Sequence, residues 1–183
     1  MTDNSQDFDL ITSFLSGDES SFNQLVRKYQ DKIYWHARRM SGNHYDADEI
    51  LQEVLLVMYK KLSTFKFESS VYSWIYRITA TRSLNYIKKR NLKNFFSLET
   101  LVGTPNSNTS TQQKIELEEE IEIIERKLAE LPAKQREVFI MRSFNDLSYK
   151  EISEITGKST GALKANYFHA LNKMKDLLKD EKE

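Results

Sequence analysis

From Phe22 to Met40 apolar residues recur three and four apart (Phe22, Leu25, Val26, Tyr29, Ile33, Ala37, Met40), with Arg27, Lys28, Lys32, Arg38 and Arg39 between them. A period of 3.6 gathers the first set on one face, so the segment is predicted to be an amphipathic helix. Ser41-Gly42-Asn43 interrupts the pattern. A second helix is predicted over Asp46 to Leu62, with Ile50, Leu51, Val54, Leu55, Met58 and Leu62 on the apolar stripe and Asp48, Glu49, Gln52 and Glu53 off it. A third, Val71 to Arg90, turns Trp74, Ile75, Ile78, Leu84 and Ile87 inward. Three such helices can bury one another's stripes as a bundle.

The character of the chain changes at 97–114, where Gly103-Thr104-Pro105-Asn106-Ser107-Asn108-Thr109-Ser110 offers almost nothing to bury. This stretch is predicted to link a first domain at 1–96 to a second at 115–183. As a flexible coil it spans roughly 20–25 Å on average and about 55–60 Å when extended, enough to let two domains act at separated points. Helical periodicity resumes with Ile115, Ile121, Ile124 and Leu128, set among Glu116, Glu118, Glu119, Glu120, Glu122 and Glu125. Pro132 stands where a further helix would start, since the first turn tolerates its missing N–H, and Val138, Phe139, Met141 and Phe144 follow. Strand-type alternation is found nowhere. The predicted fold class is all-α, with two small helical domains.

The sharpest local signals lie near the end of the chain. Ser148-Tyr149-Lys150-Glu151 has the S-x-x-E form of a capping box and fixes a helix start, with Ile152 and Ile155 as its buried stripe. Gly157 can supply the left-handed residue that stops it. Ser159 or Thr160 then caps another helix, running to about Leu178, with Leu163, Tyr167, Ala170, Leu171 and Met174 available to pack. Two helices one tight turn apart make a helix-turn-helix. Between Lys158 and Lys175 the second helix carries Lys158, Lys164, His169, Lys173 and Lys175 and no acid, which suits a phosphate-lined groove.

Composition makes that segregation matter. The 183 residues carry 27 basic and 27 acidic side chains, so a nucleic-acid surface has to come from local charge rather than from overall basicity. A second acid-free run extends from Val71 to Phe96, with Arg77, Arg82, Lys88, Lys89, Arg90 and Lys93 interleaved with Tyr72, Trp74, Tyr76 and Tyr86. Aromatics beside basic groups suit unstacked single-stranded bases. Trp74, on the inward stripe, reads as core. Cysteine is absent, which removes disulfides, thiolate zinc sites and thiol nucleophiles. His36, His44 and His169 fall on different helices, and no glycine-rich phosphate loop or nucleophile motif is present. Neither enzymatic chemistry nor a cofactor or metal is expected. The polar start and the lack of an apolar run of about 18 residues predict a cytosolic protein without membrane insertion.

On these motifs the chain resembles the extracytoplasmic function, or group IV, sigma factors of the sigma-70 class. The stretch LPAKQREVFIMRSFNDLSYKEISEITGKSTGALKANYFHALNKM is similar to that family's region 4, which recognises the minus-35 promoter element and meets the beta flap of RNA polymerase. The resemblance implies minus-35 contacts from Lys158, Ser159, Thr160, Lys164, Asn166, Tyr167, His169 and Lys173. Asn166 stands where an arginine is frequent, so the promoter sequence does not carry over. DADEILQEVLLVMYKKL is similar to region 2.2, implying that Asp48, Glu49, Gln52 and Glu53 dock on the clamp helices of the polymerase largest subunit. FKFESSVYSWIYRITATRSLNYIKKR resembles regions 2.3 and 2.4, which melt and hold the minus-10 element. Implied contacts are Phe65, Lys66, Phe67, Glu68, Ser69 and Ser70 in the loop, and Tyr72, Arg77, Thr81, Arg82, Asn85, Lys88, Lys89 and Arg90 on the helix. Phe67 replaces a frequent glycine and Thr81 a frequent asparagine. The partners implied are core RNA polymerase, promoter DNA and an anti-sigma protein.

Two other readings use the same residues. A helix-turn-helix regulator of the LuxR or response-regulator type would share the C-terminal motif but needs an α/β receiver, for which residues 1–96 carry no strand pattern. A helical adaptor binding acidic proteins would bind DNA weakly and without sequence preference.

Overall fold

The computed structural model describes residues 4–97 and 123–179, so the predicted linker beyond Ser97 and the helical start at Ile115 lie outside the described residues. The elements are α1 (Asn4–Leu15), α2 (Glu19–Ser41), α3 (His44–Lys61), a short 3-10 turn (Leu62–Thr64), α4 (Val71–Ser97), α5 (helical over 123–129), α6 (Ala133–Ser143), α7 (Tyr149–Thr156) and α8 (Thr160–Lys179). Among the described residues there is no strand, and no helix is long and apolar enough to cross a membrane.

Local chemistry explains where the helices begin and end. Asp18 caps α2 by accepting the Ser20 N–H at 3.0 Å, and the Ser20 and Ser21 hydroxyls hold its carboxyl below the usual carboxylate range. Gly42 stops α2 at φ 86°, its N–H returning to the Arg38 carbonyl at 2.9 Å. Asn43 starts α3 by accepting the Asp46 N–H at 2.9 Å. These two residues therefore make the whole turn between α2 and α3. A side chain at position 42 would also meet the Ala129 Cβ of α5 at 3.5 Å.

The N-terminal bundle buries Leu25, Tyr29 and Ile33 of α2 against Ile50, Val54 and Met58 of α3 and Val71 and Ile75 of α4. Each aliphatic side chain so buried contributes about 1.5–3 kcal/mol. Helix α1, absent from the sequence-based reading, covers one side of this core with Ile11 and the buried Asp7. The Asp7 carboxylate accepts hydrogen bonds from Lys28 Nζ and Tyr29 Oη. α4 runs to Ser97, seven residues past its predicted end at Arg90.

Instead of sitting apart, the two halves share two apolar clusters. Met40 of α2 and Ile87 of α4 pack with Leu128, Ile140 and Met174, while Tyr76 and Ala80 of α4 pack with Val138, Ile152 and Ile155. α4 makes this contact possible. Its predicted inward stripe included Ile87 but not Tyr76, Ala80 and Ser83, which with Ile87 form a second buried face toward α6, α7 and α8. Polar groups cross the same boundary. Arg136 donates to the Met40 carbonyl, Arg38 pairs with Glu125 at 2.8 Å, and Asn145 donates to Tyr76 Oη at 2.9 Å. Arg39 lies 4.4 Å from the Phe144 ring centroid.

This boundary is imperfectly satisfied. Among the described residues, Arg38 Nη1, Ser83 Oγ and Arg136 Nε are buried and find no hydrogen-bond partner, while the His36 ring and the Asn145 amide are neighbours within the same boundary. A buried polar group left without a partner costs about 1–3 kcal/mol. Burial pushes the His36 imidazole down to about 4 from 6.5, with Arg39 adding to the shift and the neighbouring Asn145 amide opposing it. Burial likewise lowers Arg136 to about 10, leaving the guanidinium charged at neutral pH.

Candidate nucleic-acid interface

The helix-turn-helix forms as its punctuation predicts. The Ser148 hydroxyl accepts the Glu151 N–H at 3.2 Å while Glu151 Oε2 accepts the Ser148 N–H at 2.8 Å, completing the capping box. That bonding holds the Glu151 carboxyl below its ordinary range. Gly157 ends α7 at φ 71°, and the Ser159 hydroxyl, rather than that of Thr160, caps α8 by accepting the Ala162 N–H at 3.3 Å.

Leu163, Ala170 and Met174 anchor α8 inward, leaving Thr160, Lys164 and His169 on its exposed surface. Lys164 is held 5.9 Å from the Tyr149 ring centroid, and Asn166 donates to the Ala162 carbonyl at 2.9 Å. Three candidates are otherwise engaged. Tyr167 stacks on Phe139 at 5.8 Å, and Lys173 donates to the Glu130 carbonyl at 2.9 Å. Lys158 turns back to Glu137 at 2.6 Å. Burial raises the Glu137 carboxyl, and Lys158 opposes that shift, so the pair forms one unit. Phe168, which the sequence reading passed over, is 60% exposed one helical turn beyond Lys164.

In the first half, the loop before α4 presents Lys66, Phe67, Glu68 and Ser69 to solvent, but Phe65 is only 6% exposed and belongs to the bundle core. Phe67 has φ 57°, in the left-handed region that favours glycine. Its ring meets Phe8 at 5.2 Å and Phe65 at 5.0 Å, so aromatic packing holds a strained backbone in place. Ser70 Oγ accepts the Ser73 N–H at 3.0 Å and opens α4.

Along α4 the candidates divide by face. Asn85, Lys88 and Lys89 are exposed, and Arg82 lies 3.9 Å from Glu53. Thr81 is exposed with its hydroxyl returned to the Arg77 carbonyl at 2.7 Å. Trp74 is half-buried, its ring 5.7 Å from that of Phe65. Tyr72 stacks on the buried Tyr76 at 4.3 Å. Arg77 donates to the Glu154 carbonyl of α7 at 2.6 Å. Arg90 ties α4 to the α2–α3 turn through the Ser41 carbonyl, at 2.9 Å, and Asp46, which gives it a structural role that spacing did not reveal. A cleft of about 510 Å³ separates α4 from α7, lined by Arg77, Thr81 and Leu84 on one side and Glu137, Glu154 and Lys158 on the other.

The acidic and amide patch also forms. Asp48, Glu49, Gln52 and Glu53 follow one another along the outer surface of α3, with His44 3.3 Å from Asp48. Tyr86 Oη lies 2.9 Å from Glu49 and 2.8 Å from Asp46, so its single proton serves one carboxylate at a time. Burial and these two carboxylates hold the phenol well above its ordinary range. Exposed pairs of this kind are worth about 0–1 kcal/mol, which leaves the patch free to exchange partners.

Comparison with known proteins places both regions. The profile for Sigma-70 region 2 fits residues 25–92, which take in most of α2, all of α3 and most of α4, and that for Sigma-70, region 4 fits residues 121–174, which take in α6, α7 and most of α8. The chain belongs to the sigma-70 family, in its extracytoplasmic function branch. Among other factors of this branch, it is 28% identical over 179 residues to the ECF RNA polymerase sigma factor SigW of Bacillus subtilis, covering 93% of this chain and 95% of that one. It is 27% identical to the ECF RNA polymerase sigma-E factor of Escherichia coli K12 over 169 residues, 88% of each chain. Two solved structures share the sigma-factor fold. CnrH in complex with the cytosolic domain of CnrY has a TM-score of 0.70 at 20% identity, covering 96% of this chain and 98% of that one. The Bartonella quintana sigma factor RpoE in complex with the anti-sigma factor NepR has a TM-score of 0.71 at 22% identity, covering 86% and 96%.

Proposed function

We propose that this sigma factor directs core RNA polymerase to specific promoters and starts transcription there by binding and strand opening, without covalent chemistry of its own. The observation that carries this reading is the pairing, in one sigma chain, of a recognition helix, α8, that carries no acid up to Lys175, with a basic and aromatic helix, α4. On α8, Ser159, Thr160, Lys164, Asn166 and His169 meet the minus-35 duplex, and Phe168 adds an apolar surface suited to a thymine methyl group. On α4 and the loop before it, Phe67, Lys88, Lys89 and Asn85 meet unpaired bases and phosphates of the minus-10 element, and favour the melted state by binding it better than duplex.

The face built from Asp48, Glu49, Gln52 and Glu53 docks on the basic clamp helices of the polymerase largest subunit, and the second domain meets the beta flap. An anti-sigma protein is the partner that restrains it, in the cytosol. The halves work as domains 1–96 and 115–183, and the 97–114 linker lets both promoter elements be held at once. A helix-turn-helix regulator with a receiver domain is not favoured, since residues 4–97 are helices and turns with no strand.

Transcription reconstituted with purified core polymerase and genomic fragments tests this reading. Promoter-dependent initiation is the expected result; no core binding and no initiation would refute it. Gln52→Ala with Glu53→Ala should weaken core binding and spare folding. Lys164→Ala should instead weaken upstream DNA binding and lower its salt slope by about 1. Loss of DNA recognition with core affinity intact in the first variant would overturn this division of labour.

A further inference from the structure

A strained residue stands in the loop before α4. Phe67 holds φ 57°, a conformation that glycine adopts freely and a bulky residue keeps only when its surroundings hold it there. It is nevertheless 42% exposed, among the exposed Lys66, Glu68 and Ser69. What holds it lies on α1. The Phe8 ring meets the Phe67 ring at 5.2 Å, edge to face, and the Phe65 ring at 5.9 Å, and Phe65 and Phe67 meet at 5.0 Å, so the three rings close a triangle. Phe65 in turn meets Trp74 of α4 at 5.7 Å. α1 is itself pinned beside this triangle. Asp7, the neighbour of Phe8, is fully buried and accepts hydrogen bonds from Lys28 and Tyr29 of α2, so α1 cannot turn or slide without stranding a carboxylate. This helix precedes residues 25–92, which the region 2 profile fits.

We propose that Phe8 of α1 is a positioning residue for promoter opening: it holds Phe67 in the left-handed conformation, with the exposed part of that ring presented as a stacking surface for one unpaired base of the minus-10 element. The inference rests on the reading of this loop as a single-strand contact. Stacking tolerates any base, but it needs the ring already in place, because apparent affinity falls with the fraction of chains in the competent conformation. Without the Phe8 ring, the backbone at Phe67 relaxes out of the left-handed region and takes its side chain with it. Glycine would reach the same backbone unaided and present no ring, so Phe8 and Phe67 act as a pair. Phe14, further along α1, packs on the Phe22 and Tyr59 rings instead, at 5.4 and 5.5 Å.

The test uses holoenzyme reconstituted from core polymerase and the full chain, on a promoter recovered from the genomic fragments. Closed-complex affinity and the rate of opening, read by permanganate reactivity of thymines in the melted region, are measured separately. Phe8→Ala should slow opening roughly tenfold, the contribution of one stacked base, with affinity for core polymerase and for the closed promoter unchanged. Phe8→Leu keeps α1 packed but loses the ring, and should slow opening as well, which guards against misfolding of the alanine variant. Phe8→Tyr keeps the ring and should open at the natural rate. In a Phe67→Gly background Phe8→Ala should have no further effect, whereas a merely structural Phe8 would slow opening equally in both. Phe14→Ala should leave the rate unchanged. Natural opening rates in both Phe8→Ala and Phe8→Leu would overturn the proposal, as would a Phe8 effect that persists in full beside Phe67→Gly or an equal loss in Phe14→Ala. If Phe67→Gly alone opens the promoter at the natural rate, the fault lies one step earlier, in the reading of Phe67 as a base contact, and the proposal falls with it.

Discussion

The bundle core and the boundary between the halves are both built on α2 and α4, yet they are made of different material. In the first, Leu25, Ile33, Ile50, Val54, Met58 and Ile75 are fully buried against one another. In the second, Met40, Ile87 and Ala80 share the space with His36, Arg136 and Asn145, and Arg136 Nε has no hydrogen-bond partner among the described residues. The first surface is apolar throughout. The second mixes apolar side chains with polar groups, as boundaries between domains of one chain do. Two faces of one helix, α4, thus serve an apolar core and a more polar boundary.

The largest effect that sharpens this contrast is Ile50→Ala, which should cost about 2–5 kcal/mol in urea unfolding. The same truncation at Ile87 should cost less, because Ile87 is 4% exposed and packs at a boundary shared with polar groups, where water can reach the space left behind; equal losses would make the two surfaces one core.

Next comes pH. The folded chain holds His36 neutral, its imidazole near 4 against 6.5 when free, with Arg39, Tyr76 and Asn145 as the groups around it. Because the folded value is lowered, the unfolded chain takes the proton first. Stability is lost as pH falls from about 6.5 and levels off below about 4, by on the order of 3 kcal/mol in all. The difference between the natural chain and His36→Gln, measured across that window, should carry this slope, while the opposing titration of Glu137 is common to both and cancels. A difference independent of pH would remove His36 from the account.

Lys158→Ala should cost about 2 kcal/mol, below the usual loss for a broken buried pair because Lys158 is partly exposed. Glu137→Gln in the same chain should restore much of it, as a double-mutant cycle would show. Smallest is Phe67→Gly. Relief of the left-handed backbone offsets the lost ring contacts, so stability should change by less than about 1 kcal/mol. Promoter opening should nonetheless slow.

What could be read from the sequence was whatever is encoded locally. The Ser148–Glu151 capping box and the left-handed Gly157 lie within a few residues of the structure they specify, and the helix-turn-helix emerged with its boundaries nearly in place. The stripes of α2 and α3 were legible because each repeats over many turns. α1 was missed because Asp7 shares its inner face with Ile11, Phe8 and Phe14, and a carboxylate on a buried face breaks the hydrophobic pattern. The second stripe of α4 was hidden for a related reason: Tyr76 and Ser83 do not look apolar, and the aromatics there suggest stacked bases. Long-range ties such as Arg77 to Glu154 and Arg90 to Ser41 leave no mark in either local segment.

Gly42 bears on both kinds of surface at once. It reverses the chain between α2 and α3, and on its outer side stands the Ala129 Cβ that a side chain would meet at 3.5 Å. Most other residues there would strain the left-handed turn that joins two helices of the bundle, while their Cβ would only make ordinary contact with Ala129 of α5. Selection at position 42 therefore acts through the backbone of the first half, and the boundary with the second half is left to be tuned at other residues, such as Asn145 or Phe144.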